Sequence, residues 1–166
     1  MPEPCKVTED GDSALVIDRQ FDAPRPDVWR ANIEPDQLVQ WLLGPPGWDM
    51  TLCEVEARAG GTYHWRWRNT QSGEEFGFSG IYSEVDPGRR LADTQTFHQG
   101  TSDAAMGPPT KNIVTFEDTE GGGTLVRTRI EYADAATRKM VLDHGMVDRM
   151  EMSYARLDAL LANGRA

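Results

Sequence analysis

The chain is poor in the groups that most often advertise chemistry. It has two cysteines, Cys5 and Cys53. That is too few for a disulfide framework, and the polar start "MPEPCKVTEDGDS" has no apolar core of a secretory signal. Three histidines, His64, His98 and His144, stand at no metal-ligand spacing to one another or to the cysteines, so neither a metal nor a cofactor is expected. No apolar run approaches the roughly 20 residues of a membrane span. Basic residues are also short, 17 Lys+Arg against 27 Asp+Glu, for a net charge of −10. An excess of this sign repels phosphate and anionic membranes, so neither nucleic acid nor a membrane is an expected partner. No nucleophile elbow, P-loop, dinucleotide glycine pattern or HExxH is present. Internal repeats and low-complexity tracts are also lacking. These absences point to a reduced, cytoplasmic protein, and 166 residues suit one domain with its own core.

Turn formers, by contrast, are plentiful, with 16 glycines and 10 prolines. Residues 14–21, "ALVIDRQF", read as a first strand after a flexible tail over 1–12. Pro26 and Pro35 suit the first turns of two short helices, and "GPPG" at 44–47 stops the second. Strand patterns follow near 49–57, 62–69, 75–85, 90–98, 111–117 and 124–132, separated by "AGG", "TQSG", "DPG" and "EGGG". The segment "QGTSDAAMGPPT", 99–110, is unpatterned and reads as a mobile loop able to act as a lid. One long helix over 135–162 ends the chain, with Asp134 as N-cap and Asn163-Gly164 as the stop. The order predicts an α+β domain over 13–164. It has a curved antiparallel sheet of about six to seven strands, covered on one face by the helix.

The stretch "GTYHWRWRN" tests what that sheet does. Tyr63, Trp65 and Trp67 share one parity, and His64, Arg66 and Arg68 the other. A three-residue "AGG" hairpin would set Glu56 opposite His64, Glu54 opposite Arg66, Val55 opposite Trp65 and Cys53 opposite Trp67. A four-residue "TQSG" loop would set Arg68 opposite Glu75, Trp67 opposite Phe76, Trp65 opposite Phe78 and Tyr63 opposite Gly80. Both hairpins gather rings on one face and opposite charges on the other, which describes a solvated outer face rather than a phosphate track. Val114 and Phe116, facing Val126, Thr128, Ile130 and Tyr132, extend the apolar face.

The terminal helix supplies the opposing wall. Met140, His144, Val147, Met150, Tyr154, Leu157 and Leu161 follow one helical stripe, with Met146, Ser153 and Leu160 widening it. Aromatic and methionine stripes of this kind serve as plain core or as the lining of an adaptable pocket. The expected ligand-binding set is Trp41, Tyr63, Trp65, Trp67, Phe76, Phe78, Tyr82, His98, Phe116, Met140, His144, Val147, Met150 and Tyr154. The strand at 90–98 has two possible faces. One turns Phe97 inward; the other turns Thr94, Thr96 and His98 inward, and the second is preferred here because it gives a cavity its polar patch. His98 and His144 are then the acid–base candidates, with Tyr82 as a weaker donor. Glu84 faces inward only if its strand is regular and outward past a bulge. Cys53 reads as an inert buried thiol.

Five stretches together resemble the START-like helix-grip superfamily, also called SRPBCC: "VIDRQFDAPRPDVWRA", "WLLGPPGW", "CEVEARAGGTYHWRW", "FSGIYSEVDPGRRL" and "GMVDRMEMSYARLDALL". Within it the chain is most similar to the branch named after the activator of the heat-shock-protein-90 ATPase. The resemblance implies a sheet gripping the last helix around an apolar cavity. It extends from about Ala14 to Asn163. Leu42 and Met146 stand where many relatives carry tryptophan, which implies a larger or softer cavity. Three functions follow as expectations: a carrier or sensor of a small apolar or aromatic ligand, a polyketide cyclase- or dehydratase-like enzyme, or a protein-interaction module. A chaperone partner is the least expected, since the chain lacks the separate N-terminal domain of the namesake co-chaperone. An open sheet edge also allows a homodimer.

Overall fold

The computed structural model describes residues 3–42, 46–100 and 107–163. Eight strands form one antiparallel sheet: β1 (Lys6–Asp10), β2 (Ala14–Phe21), β3 (Trp48–Val55), β4 (Thr62–Asn69), β5 (Glu75–Asp86), β6 (Arg90–Gln99), β7 (Thr110–Asp118) and β8 (Thr124–Glu131). Their order is β1-β2-β8-β7-β6-β5-β4-β3. Between β2 and β3 lie α1 (Arg25–Ile33) and α2 (Pro35–Trp41), each with proline in its first turn. There proline's missing N–H costs nothing and its fixed φ favours the helix. The chain closes with α3 (Ala135–Asp143) and α4 (Met146–Asn163). The architecture is the expected α+β helix-grip arrangement, with a strand count slightly above the expected range.

The additional strand corrects the reading of 1–12 as a flexible tail. Residues 6–10 pair with β2, from Lys6 opposite Asp18 to Asp10 opposite Ala14. Polar sequence hid this strand because only its backbone is needed at an edge.

The terminal helix is also not continuous. Asp134 caps α3 as expected, accepting from Thr137 N at 2.7 Å. The helix then stops at His144 and Gly145, where Gly145 takes φ +78°, a left-handed conformation that an L side chain resists. No residue of α3 is buried.

Helix α4 holds the sheet through a buried cation. Arg19 points inward from β2 and is 2% exposed. Its guanidinium donates to Glu151 (3.0 and 3.1 Å) and to Asp158 (2.6 and 3.2 Å), one helical face of α4. It also lies 5.0 Å from the Phe21 ring centroid. Burial opposes the charge on Arg19, but bonds from both carboxylates raise its pKa on balance. Glu151 also accepts the Cys5 backbone N–H at 2.9 Å, which joins the start of the chain to α4. Burial, and after it Glu151, pushes the Cys5 thiol up to about 12. Phe21, Val28, Leu38, Val126 and Leu157 are the fully buried centre of the core beside this clamp.

Candidate functional site

Period-two alternation places the aromatic wall on the inner face. The β4–β5 register is the one the sequence predicts: Trp67 opposite Phe76, Trp65 opposite Phe78, Tyr63 opposite Gly80 and Arg68 opposite Glu75. The β3–β4 register differs by two residues: Val55 opposes Tyr63, Cys53 opposes Trp65, and Glu54 opposes His64 instead of Arg66. The cause is a longer loop, closed by Glu56 N to Thr62 O; a bulge between Met50 and Leu52 then sets Asp49 opposite Arg68. A shift of two keeps each side chain on its face. Arg66 consequently finds its carboxylate across the other hairpin, in Glu75 at 3.5 Å.

The face of β6 is the opposite of the one preferred from sequence. Phe97 stands opposite Phe78, Gln95 opposite Gly80 and Asp93 opposite Tyr82. These odd positions face inward, and His98 lies on the outer face, where neighbouring side chains bury it. There His98 Nε2 lies 2.7 Å from Ser79 Oγ, with its ring 6.0 Å from that of His64. A bulge between Tyr82 and Glu84 precedes this register, and Glu84 is exposed beside Arg90 at 3.0 Å. His144 is likewise removed from the inner face. It caps α3 and is exposed, its Nδ1 2.6 Å from Met140 O, and Met140 is 54% exposed. Neither histidine therefore meets the aromatic wall.

In their place the inner face carries a buried polar cluster. Tyr63 Oη donates to Asp93 Oδ1 at 2.9 Å, and Asn112 Nδ2 donates to the same oxygen at 3.3 Å. Gln95 Nε2 donates to Tyr63 Oη at 2.8 Å. Asp93 is 8% exposed, Tyr63 and Tyr82 3% each. Burial raises the Asp93 carboxyl to about 6, against the lowering effect of the Tyr63 and Asn112 bonds. Burial, and next the adjoining Asp93, hold the Tyr63 and Tyr82 hydroxyls well above their usual range. The cluster depends on Gly80. A Cβ there would stand 2.3 Å from the Tyr63 ring, so only glycine lets that ring lie across β5. The signal available in the sequence was ring pairing: matching Phe97 to Phe78 would have placed Asp93 inside.

Around the cluster the rings are unequally covered. Tyr63 and Trp65 stack at 4.5 Å, Trp67 and Phe76 at 4.9 Å, and Phe78 and Phe97 meet at 5.3 Å. Trp48, missed from sequence, joins them 4.9 Å from Phe76. Trp67 is buried and donates to Leu42 O at 2.8 Å. Trp65, Phe76, Phe78, Phe97, Val147 and Met150 remain half-buried. Trp65 Nε1 is a buried donor with no partner among the described residues. Trp41, Phe116 and Tyr154 belong instead to the closed core: Trp41 stacks on Tyr154 at 5.8 Å and donates to Ala31 O, and Phe116 meets Trp29 at 5.3 Å. A surface concavity of about 250 Å³ lies elsewhere, where Gln20, Phe21 and Asp22 meet the turn at 119–123. Among the described residues no group of three or more acidic, histidine or cysteine side chains could hold a metal. No helix there is long and apolar enough to cross a membrane.

Comparison with known proteins agrees with this geometry. A search of curated proteins finds no significant match. Among solved structures, a Rhodobacter sphaeroides protein is 27% identical with a TM-score of 0.88, covering 97% of this chain and 99% of its own. A Mycobacterium smegmatis protein is 26% identical with a TM-score of 0.81 over the same shares. The AHSA1 protein of Silicibacter pomeroyi shares the fold at 21% identity and a TM-score of 0.72, covering 92% of this chain and 99% of its own. The family model described as "Activator of Hsp90 ATPase homolog 1-like protein" matches residues 22–162, and the chain belongs to that family.

Proposed function

We propose that the protein binds a small apolar or aromatic ligand on the inner sheet face, between β4–β6 and α4. The observation that carries this reading is incomplete coverage: Trp65, Phe78 and Phe97 stay half-buried beside a buried polar cluster, and Trp65 Nε1 has no acceptor among the described residues. A soluble fold leaves rings in that condition at a cost, since buried donors want partners and apolar rings want cover. A ligand that lies on the rings and accepts from Trp65 supplies both. The family description names an ATPase activator, but none of the inner-face features above calls for a protein partner.

Native mass spectrometry of freshly purified protein, beside a denatured control, tests this. The expected result is a retained small mass that disappears on denaturation and is absent from Trp65→Ala. A clean apo mass, with no thermal shift across lipids and aromatic compounds, would remove the reading. A cyclase- or dehydratase-like activity is the second reading. It rests on Asp93, whose carboxyl near 6 suits proton transfer at neutral pH. Asp93 takes the role expected of His98 and His144.

A further inference from the structure

Asp93 presents a charge problem that the described residues do not solve. Its carboxyl is buried, yet it has no ion pair, and the groups that act on it are Tyr63 from β4, Tyr82 from β5 and Asn112 from β7, none of them cationic. Both of its hydrogen bonds fall on Oδ1. Oδ2 accepts none among the described residues, and it is not one of the sealed unpartnered atoms, so it keeps contact with solvent. The contrast with Arg19, another buried charge, is direct. Arg19 is matched by two carboxylates. Asp93 has no cationic partner among the described residues.

The surroundings specify what that partner would be. Aromatic faces are electron-rich and favour cations, and a carboxylate in a low-dielectric site favours them more strongly. The Tyr63 ring, whose hydroxyl bonds Asp93, lies 4.5 Å from the Trp65 ring and 5.2 Å from the Tyr82 ring. A net charge of −10 draws cations toward the molecule. We propose that the inner-face ligand is an aromatic or alkyl amine, whose ammonium is held by Asp93 Oδ2 and whose apolar body lies on Trp65, Phe78 and Phe97. This rests on the ligand-binding reading above and adds the polar half of the ligand.

Tryptamine and 3-ethylindole separate the two claims, because they share a ring and chain length and differ in the amine. Isothermal titration near pH 8 should show tryptamine binding at least about tenfold more tightly, as expected for a charge-assisted bond in a dry site. Asp93→Asn should bind both compounds about equally, with 3-ethylindole affinity kept as proof of folding. In the unaltered protein, moving to about pH 5 should erase the preference, since Asp93 takes up its proton near 6. That arm needs no variant. Equal binding of the two compounds near pH 8 would overturn the amine and leave the ligand-binding reading intact. A preference for tryptamine that survives in Asp93→Asn and at about pH 5 would overturn the role of Asp93. Binding of neither compound would overturn the proposal and weigh against the aromatic site itself.

Discussion

The two ends of the inner sheet face use similar side chains and reach different states. At the β2–β8 end, Phe21 and Val126 of the sheet are buried with Tyr154 and Leu157 of α4. At the β4–β6 end, Trp65, Phe78 and Phe97 remain half-buried. Hydrophobicity is not the difference, since the open end is the more aromatic. The difference is anchoring. Arg19 binds two carboxylates of α4 at one end, whereas Asp93 at the other has only uncharged donors. A core is closed where the chain supplies both partners of a buried charge, and a site is left where it supplies one.

The comparison breaks most severely at its anchor. Arg19→Met should cost about 3–5 kcal/mol, because Glu151 and Asp158 are left without their cation. Urea unfolding measures the loss. Leu157→Ala, in the covered half, should cost about 2–5 kcal/mol by transfer and cavity terms. A cost below about 1 kcal/mol for both would mean that α4 is not the closing element.

In the open half the signs change. Asp93 has a raised pKa in the folded state, so its contribution is most favourable below the unfolded carboxyl range and is lost as pH rises through about 6. Asp93→Asn should therefore stabilise the apo protein by about 2 kcal/mol near pH 8 and by nothing near pH 4, read from denaturant midpoints at the two pH values. Stabilisation that is equal at both would show that charge is not the cause. Gly80→Ala should cost about 1–3 kcal/mol by displacing Tyr63 from Asp93, visible as shifted amide resonances along β5 and β6. The smallest effect belongs to Met140→Ser, within about 0.5 kcal/mol in the same unfolding assay, because that side chain is 54% exposed. A larger loss would restore Met140 to the inner face.

Much of the wall was legible because it is local. Trp65 opposite Phe78 and Phe116 opposite Val126 follow from alternation and short turns. His98 and His144 were misplaced for two separate reasons. The face of β6 depends on how β5 emerges from its bulge at Tyr82–Glu84, and a bulge leaves little trace in composition. The stripe containing His144 has helical spacing on both sides of Gly145, so its periodicity concealed the break. Arg19 was overlooked because an arginine in a strand reads as solvent-facing until its carboxylates, 132 and 139 residues away, are known.

By itself, then, the sequence determined the element types, the two faces of β4, β5 and β8, and the family, because period, turns and motif stretches are properties of neighbouring residues. Tertiary structure decided which face β6 shows, where the terminal helix breaks, and which buried charge is matched. Those outcomes depend on bulges and on contacts between distant segments, such as Arg19 with α4 and Tyr63 with Asp93.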